Sequence, residues 1–267
     1  MSSQPPIGGT DAALADAVST IAPYYDLDFG QLQDDCEMYR GFAQGARVLE
    51  LGAGTGRVAA AVAGVAESVT ALEQHPAMID EGAARYQEAG VEVIQQDMRR
   101  FALPGREFDL VICALSSFCH LQSRVEQCAT LAGVAAHLAP DGRAIFDLPA
   151  LTAGDWETGP RPVVLEWIRR HPGTGRQVTK WATLDADPAS QTHNVTYIYD
   201  EERGDGSLQR AVARFPLRYI FRFEMAGLLE VAGMELVQSY GGYDLAPAAA
   251  GERLIVVAQR ARRERTA

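Results

Sequence analysis

The segment Glu50-Leu51-Gly52-Ala53-Gly54-Thr55-Gly56 joins an acid to three glycines at alternate positions, followed by an alanine-rich run. Glycines let a backbone turn sharply and approach a ligand without obstruction. The first turn of the next helix adds unpaired N–H groups. Together these make a cradle for a nucleotide-type ligand. The spacing is GxGxG, whereas loops that hold a dinucleotide pyrophosphate are spaced GxGxxG. Glu50 would also repel a pyrophosphate, but it would attract a ligand with positive centres. Two further acids close apolar runs: Glu73 after Ala71-Leu72, and Asp97 just past Val91–Gln95. On parallel strands, all three carboxylates would meet at one sheet edge, the edge where open α/β folds bind ligands. His120, in Ser116-Ser117-Phe118-Cys119-His120-Leu121, adds a group able to exchange a proton near neutral pH.

The elements that must position these residues follow from periodicity. Helical spacing over Thr10–Ile21 starts at Thr10 or Asp11, and Pro23-Tyr24-Tyr25-Asp26 is expected to break it. A second helix is expected over Asp28–Ala43. Strands and helices then alternate: Arg47–Leu51, helix Gly56–Val65, Ser68–Leu72, helix Pro76–Glu88, Val91–Gln95, Phe108–Leu115, helix Ser123–Leu138, Arg143–Leu148. Near-continuous apolar strands in βα units argue a parallel sheet covered by helices. After Pro149, Val163–Arg170, Gln177–Leu184, His193–Asp200 and Leu208–Tyr219 alternate polar and apolar residues between turn signals, which predicts an antiparallel meander. Glu224–Ala232 returns to helix, and Met234–Tyr240 and Leu254–Gln259 close the fold.

Glu-x-Gly-x-Gly-x-Gly after the first strand resembles motif I of the class I S-adenosylmethionine-dependent methyltransferases. The resemblance covers residues 45–150 firmly and 222–259 by pattern. It implies an α/β fold: a Rossmann-like seven-stranded sheet with helices on both faces, six strands parallel and the last antiparallel, with an antiparallel β insert after strand 5. It divides the chain into an N-terminal helical cap (1–44), a cofactor-binding core (45–150), the insert (151–221, a substrate cover or dimerisation surface) and a closing helix and two strands (222–267). It implies that Glu50, Gly52, Gly54 and Gly56 form the cofactor loop and that Glu73 binds the ribose hydroxyls. Gln74 and Met78 would border ribose and adenine, Asp97 and Met98 would receive the adenine, and Leu115 would lie beside the methionine moiety. The cofactor would be S-adenosyl-L-methionine and the product S-adenosyl-L-homocysteine.

On the acceptor side, Ser-Ser-x-x-His-Leu is similar to small-molecule N-methyltransferases of the amino-sugar type. Their histidine and a tyrosine from an N-terminal Tyr-Asp segment become His120 and Tyr25 here. Tyr24, Tyr197, Arg218 and Arg222 are candidate acceptor contacts, with sheet packing as the competing role for the tyrosines. The implied reaction is methyl transfer to an N or O nucleophile of a small molecule, in bacterial secondary metabolism. A nicotinamide-dependent oxidoreductase and a non-catalytic cofactor-binding partner are the alternatives.

Composition narrows the partners. The net charge of −11 belongs entirely to residues 1–150, and residues 151–267 are balanced, so neither half offers the basic surface that a nucleic acid demands. No apolar run is long enough to span a bilayer. The N-terminal residues show neither a basic n-region nor an apolar core, so a cytoplasmic location is expected. Four cysteines without a CxxC pair and five histidines without ligand spacing predict no structural metal. The insert offers a surface for a homodimer.

Overall fold

In the computed structural model, which describes residues 11–159, 161–248 and 251–261, the chain forms two units. The larger comprises Leu32–Leu151 with the segment from Tyr219 onward. It holds strands β1 (Arg47–Leu51), β2 (Ser68–Glu73), β3 (Glu92–Gln95), β4 (Phe108–Cys113), β5 (Leu138–Pro149), β10 (Met234–Tyr240) and β11 (Arg253–Arg260). Its helices are α2 (Asp34–Phe42), α3 (Arg57–Ala63), α4 (Pro76–Ala89), α5 (Arg124–His137) and α6 (Arg222–Val231). The strands lie in the order β10-β11-β5-β4-β1-β2-β3. All pair in parallel except β11, which is antiparallel to both β5 and β10. This is the seven-stranded mixed sheet that the family resemblance implies.

Its core is aliphatic and strand-borne. Val48, Leu49, Leu51, Ile112, Ile145 and Ile255 are all fully buried, as expected of a largely parallel sheet covered on both faces. At the start of α5, Ser123 and Glu126 form a capping box, each side chain bonding the other's backbone N–H, which satisfies two orphan donors at the helix entry.

The smaller unit pairs the residues up to Gln31 with Thr152–Arg218. Its antiparallel sheet runs β6 (Val164–Arg170), β7 (Gln177–Asp187), β8 (Thr192–Glu202) and β9 (Leu208–Arg218) in sequence order, covered by α1 (Asp11–Phe29). The N-terminal segment read as one helical cap therefore divides, α1 going to this unit and α2 to the other. Thr10 lies outside the described residues.

Two helix boundaries differ from expectation. α1 runs through Pro23 to Phe29, and α2 begins only at Asp34. A proline inside a helix removes one backbone hydrogen bond and costs about 3 kcal/mol. The residues around it offset that by packing. Ala22 and Tyr24 are buried, and the Tyr24 ring stacks on Tyr199 with centroids 4.5 Å apart. Asp28, one turn further on, accepts from Lys180 Nζ (2.7 Å), Trp167 Nε1 (2.8 Å) and the Tyr199 hydroxyl (2.9 Å). Tertiary contacts thus hold α1 helical past the residue where local propensity ends it.

Candidate cofactor and acceptor site

β1 delivers Glu50 and then the turn. Gly52, Gly54 and Gly56 all have positive φ, and Gly56 is the left-handed residue from which α3 starts. The N–H groups of Gly52 and Ala53 bond Leu72 O, so the turn is stitched to β2. α4 braces its far side: the Tyr86 hydroxyl donates to Gly54 O (2.9 Å), and Arg85 Nη1 donates to Thr55 O (2.8 Å). A Cβ on Gly82 would fall 2.4 Å from Thr55 O, so α4 and the loop meet where only glycine fits.

Glu73 ends β2 and is buried. Its carboxylate accepts the N–H groups of Gly54, Gln74 and His75, each at 2.9 Å. One carboxylate thereby fixes the glycine turn and the start of the next loop together. Gln74 is tied by its side chain to His75 (2.9 Å), and Met78 is buried in the first turn of α4. Asp97 follows β3, but its carboxylate is engaged by Arg99 through Nε and Nη2 and by the Arg99 N–H. These bonds hold its carboxyl below the ordinary value against the opposing effect of burial. Arg99 continues to Glu126 at the start of α5 (2.9 Å). Reception of an adenine amino group by Asp97 would have to share this ion pair, a commitment invisible in the sequence. Met98 beside it is half-buried.

Glu50 is 2% exposed, and its Oε2 has no hydrogen-bond partner among the described residues. Burial pushes its carboxyl up to about 8, opposed by the Arg57 guanidinium and the Ala59 N–H. Arg57 is itself paired with the fully buried Asp35 at 2.5 Å. An orphaned buried carboxylate oxygen beside a glycine turn, with acids outnumbering cations, fits a ligand bearing a positive group.

After β4 the chain makes a left-handed pair, Leu115 (φ 44) and Ser116 (φ 64), then one 3-10 turn, Ser117–His120. Non-glycine residues adopt such angles only where their surroundings hold them. Here Asp147 on β5 does so. Fully buried, it accepts the Leu115 N–H on its carboxylate, and its backbone oxygen accepts the Ser116 N–H, both at 3.0 Å. Arg253 Nε (2.7 Å) and the Tyr243 hydroxyl (3.0 Å) complete the carboxylate's partners, and Arg253 Nη2 reaches Ser116 Oγ (3.2 Å). Ser117 Oγ donates to Gly52 O (3.3 Å), closing this loop onto the glycine turn. Asp147, Arg253, Tyr243 and Tyr86 went unrecognised in the sequence. An acid inside the fifth apolar strand was the one available signal, at Asp147.

His120 ends the 3-10 turn, half-buried. Desolvation, with a smaller contribution from His75, lowers it to about 4, so the imidazole is neutral at pH 7. Leu115, His120, Glu50, Glu73 and the glycine turn thus gather at the carboxyl ends of β4, β1 and β2. Arg222 belongs to the same unit. It is exposed at the first position of α6 and lines a cavity of about 330 Å³ with Tyr240 and Pro247.

The remaining predicted residues, Tyr24, Tyr25, Tyr197 and Arg218, fall in the other unit. Tyr24 is committed to packing, its ring on Tyr199 and its hydroxyl donating to Glu201 (3.3 Å). Tyr25 lies 5.0 Å from Phe29 between ring centroids. Tyr197 and Tyr199 do share a face, and Lys180 Nζ sits 3.7 Å from the Tyr197 centroid. Arg218 ends β9, opposite Thr192. Among the described residues no group of acids, cysteines and histidines is placed to hold a metal ion, and no helix is long and apolar enough to cross a membrane.

Comparison with known proteins agrees with this geometry. A family model described as a methyltransferase domain matches residues 48–142. The chain is 32% identical over 103 residues to a cypemycin N-terminal methyltransferase from a Streptomyces species, an overlap of 39% of this chain and 42% of that one. In structure it resembles the CcbJ methyltransferase of Streptomyces caelestis (TM-score 0.75, 20% identity, 95% of this chain and 100% of that one). It also resembles CalS10 of Micromonospora echinaspora, an amino pentose methyltransferase solved with S-adenosylmethionine bound (TM-score 0.64, 23% identity, 95% and 92% covered). These relatives are named methyltransferases. Residues 48–142 match a methyltransferase domain, and the chain has the fold of the S-adenosylmethionine-dependent methyltransferases it resembles.

Proposed function

We propose that the protein methylates an amine of a small-molecule acceptor in bacterial secondary metabolism, releasing S-adenosylhomocysteine. The observation that carries this reading is a neutral imidazole, His120, on the loop that Ser117 closes onto the glycine turn. Glu50, the loop N–H groups, Glu73 and Leu115 would hold the cofactor, which supplies a methyl group already activated by its sulfonium centre. The protein's task is then to orient a nucleophile and exclude water. A group with a pKa near 4 is a weak proton acceptor at pH 7, because general bases work best when their pKa lies near the operating pH. His120 therefore acts chiefly by accepting a hydrogen bond from the attacking N–H and pointing its lone pair. The name of the cypemycin N-terminal methyltransferase supports nitrogen, against that of a protein-L-isoaspartate O-methyltransferase 41% identical over 73 residues. The net charge of −11 favours an amine that arrives as its cation and loses that proton to solvent before its lone pair attacks.

The test is an acceptor panel of amino sugars, peptide N-termini and hydroxyl analogues, read by S-adenosylhomocysteine release and by the mass of one added methyl. His120→Ala should lower turnover about 100-fold while leaving S-adenosylhomocysteine affinity within a few-fold. Turnover on hydroxyl analogues alone would reverse the choice of nucleophile. Tight cofactor binding with no turnover on any acceptor would favour a non-catalytic partner protein.

The edge strand β6 exposes Val164, Leu165 and Ile168, each 44–55% accessible. An unpaired edge with apolar side chains is a template for another strand, and we read it as the contact of a homodimer. Light scattering should give twice the chain mass, and Ile168→Lys should return it to the monomer value. A wild-type monomer at micromolar concentration would overturn this assembly. We keep a cytoplasmic location as part of the same reading.

A further inference from the structure

The acids and cations beneath the glycine turn do not balance. Glu50, 2% exposed at the end of β1, has one oxygen without a partner among the described residues, and the Ala59 N–H of α3 serves the carboxyl from the other side. The charged groups that bear on it are Arg57 of α3, Asp35 of α2 and Glu73 of β2. Arg57 is the one cation among them, and Asp35 takes it in a two-pronged pair, Nη1–Oδ1 at 2.8 Å and Nη2–Oδ2 at 2.5 Å. Glu73 is held by three backbone N–H groups rather than by a cation. Two thiols complete the surroundings: Cys36 of α2, pushed up to about 12, and Cys113 of β4, raised further by burial, so both are uncharged at neutral pH. One cation thus serves two buried acids: Arg57 attracts Glu50 but is hydrogen-bonded to Asp35, and a buried carboxylate without a full counter-charge is costly.

We propose that Glu50 holds a proton while the site is empty and releases it to solvent when the cofactor's ammonium group enters, so that cofactor binding is linked to pH through this one carboxyl. The inference rests on the cofactor reading above and adds to it a regulation of the site. Its chemistry balances simply. The O–H bond of the Glu50 carboxyl breaks, the proton passes to buffer, and the carboxylate left behind faces the incoming cation. The raised carboxyl value agrees with the geometry. A group that gives up a proton on binding makes affinity rise with pH below its free-state pKa, at a slope approaching one proton. Affinity should therefore tighten about tenfold per pH unit between pH 6 and 7.5 and level off above about 8.

The experiment is calorimetric titration of the intact chain with S-adenosylhomocysteine, which carries the same ammonium group. It is run at pH 7 in phosphate and in Tris, two buffers with very different heats of ionisation. Wild type should release close to one proton. Glu50→Gln should release none, and its affinity should be flat from pH 6 to 8.5. An infrared difference spectrum of the wild type supplies a second readout that needs no variant, since the carbonyl stretch of a protonated carboxyl should vanish on binding. Binding without proton release, or release that survives in Glu50→Gln, overturns the proposal alone. No binding by the folded wild type overturns the cofactor reading and the proposal with it.

Discussion

Replacing Asp147 with alanine is expected to destabilise the core by about 3–5 kcal/mol, the cost of leaving a buried charge without its partner. Three groups lose their acceptor at once: the Arg253 guanidinium, the Tyr243 hydroxyl and the Leu115 N–H. Arg253 is mostly sequestered, its side chain 21% accessible, so water replaces the lost carboxylate poorly. The functional effect should exceed the stability effect. Without the carboxylate the Leu115 N–H loses its partner, and the left-handed angles of Leu115 and Ser116, each costing about 1–3 kcal/mol, rest on the backbone bond of Ser116 and the Ser117 contact alone. The loop should relax and carry His120 away from its place. Asp147→Asn keeps an acceptor for the Leu115 N–H and should lose about half as much stability. All three tryptophans, Trp156, Trp167 and Trp181, lie in the other unit, so urea denaturation followed by amide circular dichroism is the suitable measurement for the core. A midpoint for Asp147→Ala corresponding to less than about 1 kcal/mol of loss would show that Arg253 finds another partner, and would remove the clamp from this account.

The second large effect is expected at Gly56. Alanine there meets two obstacles. The residue has φ 78, a region that costs an L-residue about 1–2 kcal/mol. Its Cβ would also lie 2.4 Å from Tyr86 Cε1. Tyr86 is buried and hydrogen-bonded to Gly54 O, so it yields only by giving up the brace of the loop. Overpacking of that kind adds about 1–3 kcal/mol. Gly45→Ala is the internal control: φ is 65, and nothing lies within 4 Å of the added carbon. Gly45→Ala should cost the backbone strain alone and leave S-adenosylhomocysteine affinity unchanged. Gly56→Ala should lose at least twice as much stability and weaken that affinity by 100-fold or more, on the order of 3 kcal/mol. Equal losses in the two variants would mean that the Tyr86 contact is soft and that conformation alone makes the glycine necessary.

Much of the architecture was legible because its causes are local. Alternation of short apolar runs with helical periodicity specifies a parallel sheet from nearest-neighbour information. The GxGxG turn needs positive φ at three positions, and glycine alone adopts it without strain. Ser123 and Glu126 announce the start of α5 through a bond that spans three residues. Failure begins where local preference meets a distant partner. Pro23 and the Tyr-Tyr-Asp after it carry a breaker signal, but the stacking of Tyr24 on Tyr199 and the threefold use of Asp28 keep the helix going.

The site divides along the same line. Types and spacing placed Glu50, Glu73 and the glycines at one sheet edge, since a side chain at the end of a parallel strand reaches that edge whatever its partners are. Whether each group is available to a ligand depends on what else it touches. Asp97 has the expected position, but Arg99 occupies its carboxylate. His120 has the expected type, but burial makes it too weak a base for the role its free pKa suggests. The clamp on the loop after β4 joins Asp147 to Arg253, 106 positions apart, and exists because β11 runs antiparallel to β5 with Arg253 opposite Pro149. By itself the sequence determined the fold class, the glycine turn and the strand-end acids, all of which depend on short-range backbone geometry. Only the tertiary structure decided which charges are paired, which are orphaned and which loop conformations are held, because desolvation and ion pairing depend on neighbours that the chain brings together only when it folds.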